Sequence, residues 1–507
     1  MLSSFVLLAS AFASLAASVP AEPQVQNGGA AAGAAACRKL ASTYPDKTFW
    51  PGTGSYATES SHIWSETCVL SPKCVFLPNN AADISRAIKI ISANRSPFAV
   101  RSGGHMPVPG AASTDFGVMI AMSTLKTTEF NADRSILSIG PGLVWGEVFN
   151  FAASHGLAVN GGRYGQVGVG GLAIGGGIGY FGKKLGWSAN SVVQFEVVLA
   201  DGTVTTASSS KNSDLWWALK GGNNNFAIVT RYDFKTFPIT EAFAGALLWK
   251  QEAIAAFFDA LYSFVAPGGG NEDVDAAINP AVIITPVNGT YEASNLMFHG
   301  GSDSNPASLR NFTQITNDVL FSYAGVGPWP TLANLLNTPE FAARDSRQLF
   351  WAVSFKPDRR AIDIANITVI GDAFAQLKNV RELAVTLAYQ PISAKWLQAA
   401  RDNGGDAMDL DPKDGDFVAG LISATWQDAR DDKTMWKFAA DCVAKIDRQT
   451  KAKGLYYPFT YLNDAGQGQN PFPLYGKGKS LPRMKAIQAK YDRKGVFKNL
   501  IASAFKL

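Results

Sequence analysis

Twelve of the chain's 48 glycines fall within 26 residues, between Gly161 and Gly186. Glycine inside a helix or strand costs roughly 0.5–1 kcal/mol relative to alanine, so a run this dense does not serve to stabilise a regular element. It suits places where backbones approach closely, or where several N–H groups turn toward an anionic guest that side chains would obstruct. The stretch Gly168-Val-Gly-Gly-Leu-Ala-Ile-Gly-Gly-Gly-Ile-Gly179 removes that obstruction, and pyrophosphate is its natural guest. Within it, Gly168-x-Gly170-x-x-Ala173 matches a dinucleotide-binding fingerprint, with Glu196 further on. That fingerprint needs a continuous apolar strand leading into the turn. Here HGLAVNGGRYGQ interposes turn residues, so the match does not define a Rossmann site.

A chain of 507 residues implies two or three domains. With 47% hydrophobic and 17% charged residues it has ample material for large cores and is not a disordered chain. Lys+Arg 45 against Asp+Glu 41 leaves a net charge of +4, which gives no electrostatic reason to expect a nucleic-acid partner. No Cys or His spacing suggests a metal site, and no apolar run is long enough for a membrane span.

Residues Phe5 to Ala17 form a short apolar run with small residues at its end, read as a secretory signal over 1–18. Residues 19–36, with GGAAAGAAA, read as a low-complexity tether, so the folded body is expected to begin near Cys37. Export permits a disulfide among Cys37, Cys68, Cys74 and Cys442, with the connectivity open. Glycosylation acceptors stand at Asn94, Asn288, Asn311 and Asn366.

From Cys74 the pattern reads strand, helix, strand, since Ile84, Ala87, Ile88 and Ile91 repeat at helical spacing between CVFLP and FAVR. This βαβ reading delivers the loop Arg101-Ser-Gly-Gly-His105 at a strand end, the usual place for ligands in α/β units. Strands are expected at VMIAM and ILSIG, a helix at Leu143–His155 closed by Gly156, and a hairpin turning at Asp201-Gly202. A strand ending at Pro238 closes the first domain, 37–239. Residues 240–450 alternate long helices with hairpin-like strands, as expected of an antiparallel sheet covered by helices. A segment over 451–507 follows, with a charged helix near Met484, Ile487 and Tyr491. His105 follows a double glycine and is equally open to a structural or a functional role. His155 falls in a helix C-terminal turn, while His62 and His299 are read in polar loops. Ser188 lacks the glycine pattern of a nucleophile elbow.

These motifs, in order, resemble a known family. Arg101-Ser-Gly-Gly-His105, the run Gly161 to Gly179, Asp214 to Thr230, and the later Tyr389-Gln-Pro-Ile392, Asn403-Gly-Gly405, Tyr461-Leu-Asn463 and Lys490-Tyr-Asp492 are similar to those of FAD-linked oxidases. The resemblance is to the berberine bridge enzyme-like branch of the vanillyl-alcohol oxidase superfamily, with its PCMH-type FAD-binding domain, and to its secreted fungal members. It implies an α+β fold: a FAD domain of two α/β subdomains, a substrate domain whose antiparallel sheet roofs the flavin, and a C-terminal segment that returns to the FAD domain. It further implies FAD bound covalently through His105. Arg101, Ser102, Gly103, Gly104, Gly170, Gly171, Gly175, Gly176, Gly177, Gly179, Ile228 and Asn463 are the implied cofactor contacts. Gly162 and Val167 are implied to leave dioxygen a path.

Three departures bear on function. Tyr164 stands where bicovalent members carry cysteine, so attachment is expected through His105 alone, and oligosaccharide substrates are disfavoured. Asp464 replaces the tyrosine of the usual N-Y-A, and Arg493 replaces a proline. Tyr461 is the first expectation for the catalytic base and Asp464 the second, with Gln390 and Trp426 lining the substrate pocket. The expected activity is oxidation of a small alcohol or secondary-metabolite intermediate with dioxygen as acceptor, in a secreted monomer. A non-redox cyclase or isomerase, a carbohydrate oxidase, or a binding protein with a vestigial flavin site are the alternatives.

Overall fold

The computed structural model describes residues 29–337 and 344–507. The signal reading and residues 19–28 of the tether lie outside them. The rest of the tether is a helix, Gly29–Thr43, and this corrects the sequence reading. Alanine has the best helix propensity, and Gly33, Ala36, Cys37 and Leu40 bury one face at i, i+3, i+4, i+7. Small residues let this helix press on the backbone of Phe116 and Gly117, which a side chain at Gly33 would overlap. A disulfide from Cys37 to Cys74 ties it to the first sheet, while Cys68 and Cys442 are buried free thiols.

That sheet comprises β1 (Thr48–Phe49), β2 (Cys74–Phe76), β3 (Phe98–Arg101) and β4 (Val118–Ala121) in the order β1-β2-β4-β3. The helix between β2 and β3, Ala81–Asn94, is capped by the Asn80 side chain and buries Ile84, Ala87, Ile88 and Ile91. The unit differs from the sequence reading in one respect. β2 and β3 do not pair with each other; β4 lies between them, parallel to both.

A second, antiparallel sheet holds β5 (Thr128–Phe130), β6 (Ile136–Ile139), β7 (Leu157–Val159), β8 (Val192–Val198), β9 (Val204–Ser208) and the long β10 (Ile228–Pro238). Gly202 turns the β8–β9 hairpin at φ +83. After Pro238 the chain enters a third sheet of seven antiparallel strands. These are β11 (Glu241–Trp249), β12 (Ala276–Thr285), β13 (Thr290–Gly300), β14 (Val319–Pro328), β15 (Arg347–Phe355), β16 (Ala384–Ile392) and β17 (Phe417–Trp426), in the order β14-β11-β13-β12-β16-β17-β15. One face of this sheet packs on the helices Ile254–Val265, Arg359–Gln376 and Asp432–Ala452 in a core that includes Val385, Leu387, Ile422 and Phe438. Successive side chains of a strand point to opposite faces, so the intervening residues are left for the first two sheets.

Two further readings are corrected. His299 sits on β13, paired with Asp273, and not in a loop. Asn366 is only 7% exposed and accepts a hydrogen bond from the Tyr389 hydroxyl, so it is no glycan acceptor in the folded chain. The chain's end returns to the first sheet: Phe98 N–H donates to Leu500 O at 3.0 Å, and Val496, Phe497 and Ile501 join its core. No helix among the described residues is long and apolar enough to cross a membrane.

Candidate active site

A cavity of about 890 Å³ opens between the glycine loops of the first two sheets and the uncovered face of the third. One wall is Ser102, Gly103, Gly104 and His105 beside Gly168, Gly170 and Gly171. Gly103 and Gly168 meet backbone to backbone; a Cβ on Gly103 would lie 2.6 Å from Gly168 Cα, and one on Gly168 would lie 2.5 Å from Gly103 N. Ser102 locks the two loops together, its hydroxyl donating to Pro141 O at 2.6 Å and accepting from Gly170 N–H at 3.2 Å. Tyr232, on β10, donates to Gly170 O at 3.2 Å. Gly171 is exposed on this wall, and a Cβ there would meet nothing within 4 Å. Ile228, Asn223 and Ser503 continue the cavity toward the chain's end.

His105 is half-buried and stacks on Trp64, ring centroids 4.1 Å apart. Burial first, then the nearby Arg344, lowers its pKa to about 4, so its imidazole is neutral and nucleophilic at pH 7.

Arg101 faces the other way. It is 1% exposed, absent from the cavity wall, and ion-paired with Glu59, so its role is to hold the loop, not to touch the guest. The glycine run also divides. Gly162, Gly175, Gly176, Gly177 and Gly179 are not on the wall, and their missing Cβ atoms make room for Leu172 and Trp145, Asn463, Met408, Ser188 and Gly161 O respectively. These five glycines allow close packing, so the implied cofactor contacts Gly175, Gly176, Gly177 and Gly179 stand behind the wall rather than on it. It also places Gly162 behind the wall, whereas Val167 lines it.

On the opposite side stands a buried polar cluster. Asp464 is 8% exposed; its Oδ2 accepts from Gln390 Nε2 at 2.6 Å, and its Oδ1 bonds to no described residue. Gln390 also donates to Ala419 O at 3.0 Å, and its Oε1 accepts from Arg163. Burial pushes the Asp464 carboxyl up to about 6, against the pull of Gln390 and Arg163. Tyr164 is beside this cluster, accepting from Asn279 Nδ2 at 3.2 Å.

Tyr461 also reaches the cavity, but its oxygen accepts N–H groups from Gly177, Ile178 and Asn463, each at 3.0 Å, and its ring stacks on Trp187. Asn463 in turn donates to Leu172 O at 3.0 Å. Burial raises the phenol's pKa. Its oxygen is thus engaged as a clamp on the glycine run.

Trp426 does not line the cavity. It is fully buried on the helix-covered face, its Nε1 donating to Asp432 Oδ1 at 2.9 Å. On β17 it is Leu421, Ser423 and Thr425 that face the cavity, and an assignment one residue out of step turns a side chain to the wrong face. Arg163 and Asn279 were not anticipated: Arg163 stands inside the Gly161 to Gly179 run, where the glycines carried the reading, Asn279 stands in no motif, and the fold brings them to Gln390 and Tyr164.

The architecture and the glycine-walled cavity define a flavoenzyme of the FAD-linked oxidoreductase class. Residues 72–208 match the FAD binding domain family. Over 481 residues, 93% of each chain, the sequence is 39% identical to the FAD-dependent monooxygenase prx3 of Penicillium roqueforti. It is 31% identical over 478 residues to the bifunctional solanapyrone synthase of Alternaria solani, covering 93% of this chain and 89% of that one. Among solved structures, glucooligosaccharide oxidase from Acremonium strictum, with its 6-S-cysteinyl, 8α-N1-histidyl FAD, superposes with a TM-score of 0.74 at 17% identity, over 92% of this chain and 99% of that chain. The chain belongs to this family of fungal FAD-dependent monooxygenases and oxidases, and its cofactor is FAD. The residues present fit it: the close approach of Gly103 and Gly168 brings the backbones of two loops together at one wall, and at Gly171 the wall is open space where a Cβ would intrude.

Proposed function

We propose that the protein is a secreted oxidase that removes a hydride from a C–H bond of a small organic molecule, with FAD attached through His105 alone and dioxygen as electron acceptor. Bound FAD supplies the hydride acceptor and the reaction with oxygen. The carrying observation is Asp464. Its carboxyl is buried at the cavity wall, raised to about 6, and has one oxygen that bonds to no described residue. A base with a pKa near the working pH combines correct protonation with useful basicity. Asp464, and not Tyr461, is therefore assigned to take the substrate's proton, while Gln390, itself held by Arg163, keeps its other oxygen in place. The neutral His105 supports attachment at that residue, since a protonated imidazole has no free lone pair to bond the flavin. Tyr164 supports the absence of a second bond. The apolar segment Phe5–Ala17 and the Cys37–Cys74 bridge support secretion. A relative named as a monooxygenase and another as a bifunctional synthase support a secondary-metabolite substrate. A screen over phenolic alcohols, polyketides and sugars, reading anaerobic flavin bleaching and then peroxide on admission of air, tests the proposal. Turnover without bleaching would replace it with a non-redox cyclase; oxygen incorporated into product would replace it with a monooxygenase.

A further inference from the structure

The register of the seven-stranded sheet arranges the cavity floor in rows. One row runs Leu421, Ala388, Ala281, Ser294, Leu248, Phe321 across six strands, each residue opposite the next. All six line the cavity. A neighbouring row, two residues along, runs Phe350, Ser423, Thr386, Ile283, and these four line it too. No cavity-lining residue of the seven strands is charged.

The two rows differ in chemistry. The first offers hydrocarbon except at Ser294, and its middle is low, since Ala281 and Ala388 pair directly. Strands lie ~4.8 Å apart, so these alanines and their neighbours make a shallow apolar shelf about three strands wide. In the second row the Thr386 and Ser423 hydroxyls lie opposite each other, half-buried, and neither bonds to a described residue. Their nearest polar neighbours are already committed, Thr425 donating to Gln348 at 2.6 Å and Gln348 donating to Ser346 at 2.8 Å. Two residues of extended strand separate the rows by about 7 Å.

We infer that the substrate is a fused-ring, mostly hydrocarbon molecule with a hydroxyl or carbonyl on one edge. Its ring face lies on Ala281 and Ala388, and its oxygen is received by the Thr386–Ser423 pair. This rests on the proposed reading of the cavity as an oxidase's substrate site, and it makes that reading specific. A saccharide fits poorly, because a ring hydroxylated at nearly every carbon would lose its water over the alanine shelf, and the hydroxyls of Ser294, Thr386 and Ser423 are too few to replace it.

The test titrates the purified holoprotein calorimetrically with decahydro-2-naphthol and with cellobiose. The bicyclic alcohol is expected to bind at least about tenfold more tightly. Ala281→Phe should raise the shelf and weaken it about tenfold, and Thr386→Val, which keeps the shape and removes the hydroxyl, about fivefold. Both variants should retain flavin and melting temperature; if Ala281→Phe does not fold, Thr386→Val decides alone. Equal or tighter binding of cellobiose, no binding of the alcohol, or undiminished binding by Thr386→Val would overturn the inference. Calorimetry reports binding whether or not flavin is reduced. It therefore scores the substrate class alone: the probe's one hydroxyl, held by Thr386 and Ser423, lies four strand residues, about 13 Å, from Gln390, and the oxidase reading stands or falls on the flavin-bleaching screen.

Discussion

Asp464→Asn should make the protein more stable and less active, and the first effect can be measured before any substrate is known. A carboxyl raised from 3.8 to about 6 binds its proton more tightly in the folded chain than in the unfolded one. Its ionisation therefore costs stability as pH rises from 3.8 through about 6; the cost is fully present above 6 and absent below 3.8. At 1.36 kcal/mol per pH unit, that difference is about 3 kcal/mol at pH 7.5. The amide introduced by Asp464→Asn would still accept from Gln390 Nε2, though Arg163 would lose its counter-charge, so 3 kcal/mol is the upper figure. An unfolding entropy of roughly 2.1 cal/mol/K per residue makes this at most about 3 °C in Tm for a chain of this length. Scanning calorimetry of both proteins at pH 7.5 and pH 4 is the assay. The variant should melt higher at pH 7.5, and the gap should close at pH 4. With a substrate in hand, wild-type kcat/KM should rise with pH to a plateau, half-maximal near pH 6, while the variant falls by ~10²-fold or more and loses that dependence. A variant that melts lower at pH 7.5, or keeps its rate within threefold, would refute the assignment of Asp464 as a strained, buried base.

His105→Ala should release flavin on acid denaturation, whereas the parent keeps it on the polypeptide; flavin retained by the variant places the link elsewhere. Gly168→Ala should abolish or greatly reduce flavin incorporation, read as the 450 nm to 280 nm absorbance ratio, because its methyl would sit 2.5 Å from Gly103 N. Breaking the Cys37–Cys74 bridge, which closes a separation of 37 residues, should cost about 4 kcal/mol of chain-entropy stabilisation, seen as a lower denaturant midpoint. Cys68, its thiol pushed up to about 12, and Cys442 should react with a thiol reagent only after denaturation. Trp426→Phe should lower stability by ~1–3 kcal/mol and leave substrate KM unchanged.

The fold class was legible because its signals are local: helical spacing from Ile84 to Ile91, the Asp201-Gly202 turn, and the strand end at Pro238. The order of the first sheet was not, since nothing in CVFLP or FAVR records that β4 separates them. Composition misled at Gly29–Ala36, where glycine and alanine read as a tether although alanine is the strongest helix former. At the site, the loop Ser102–His105 and Asp464 could be found because they stand in motifs. The roles inside the glycine run could not be separated, because a glycine that faces a ligand and one that admits a neighbouring side chain are the same letter. Trp426 failed for a sharper reason: at a strand end, a shift of one residue exchanges cavity for core.

The seven-stranded sheet carries two independent messages in alternating letters. Residues such as Leu387, Ile422 and Trp426 answer to the helices behind them, while Ala388, Leu421 and Ser423 answer only to whatever enters the cavity. Mutation at the second set can therefore explore new chemistry without disturbing what keeps the domain folded. A lineage built on this sheet can change its substrate in single steps, and a combinatorial library confined to the cavity-facing letters should stay folded at far higher frequency than one spread over the same strands.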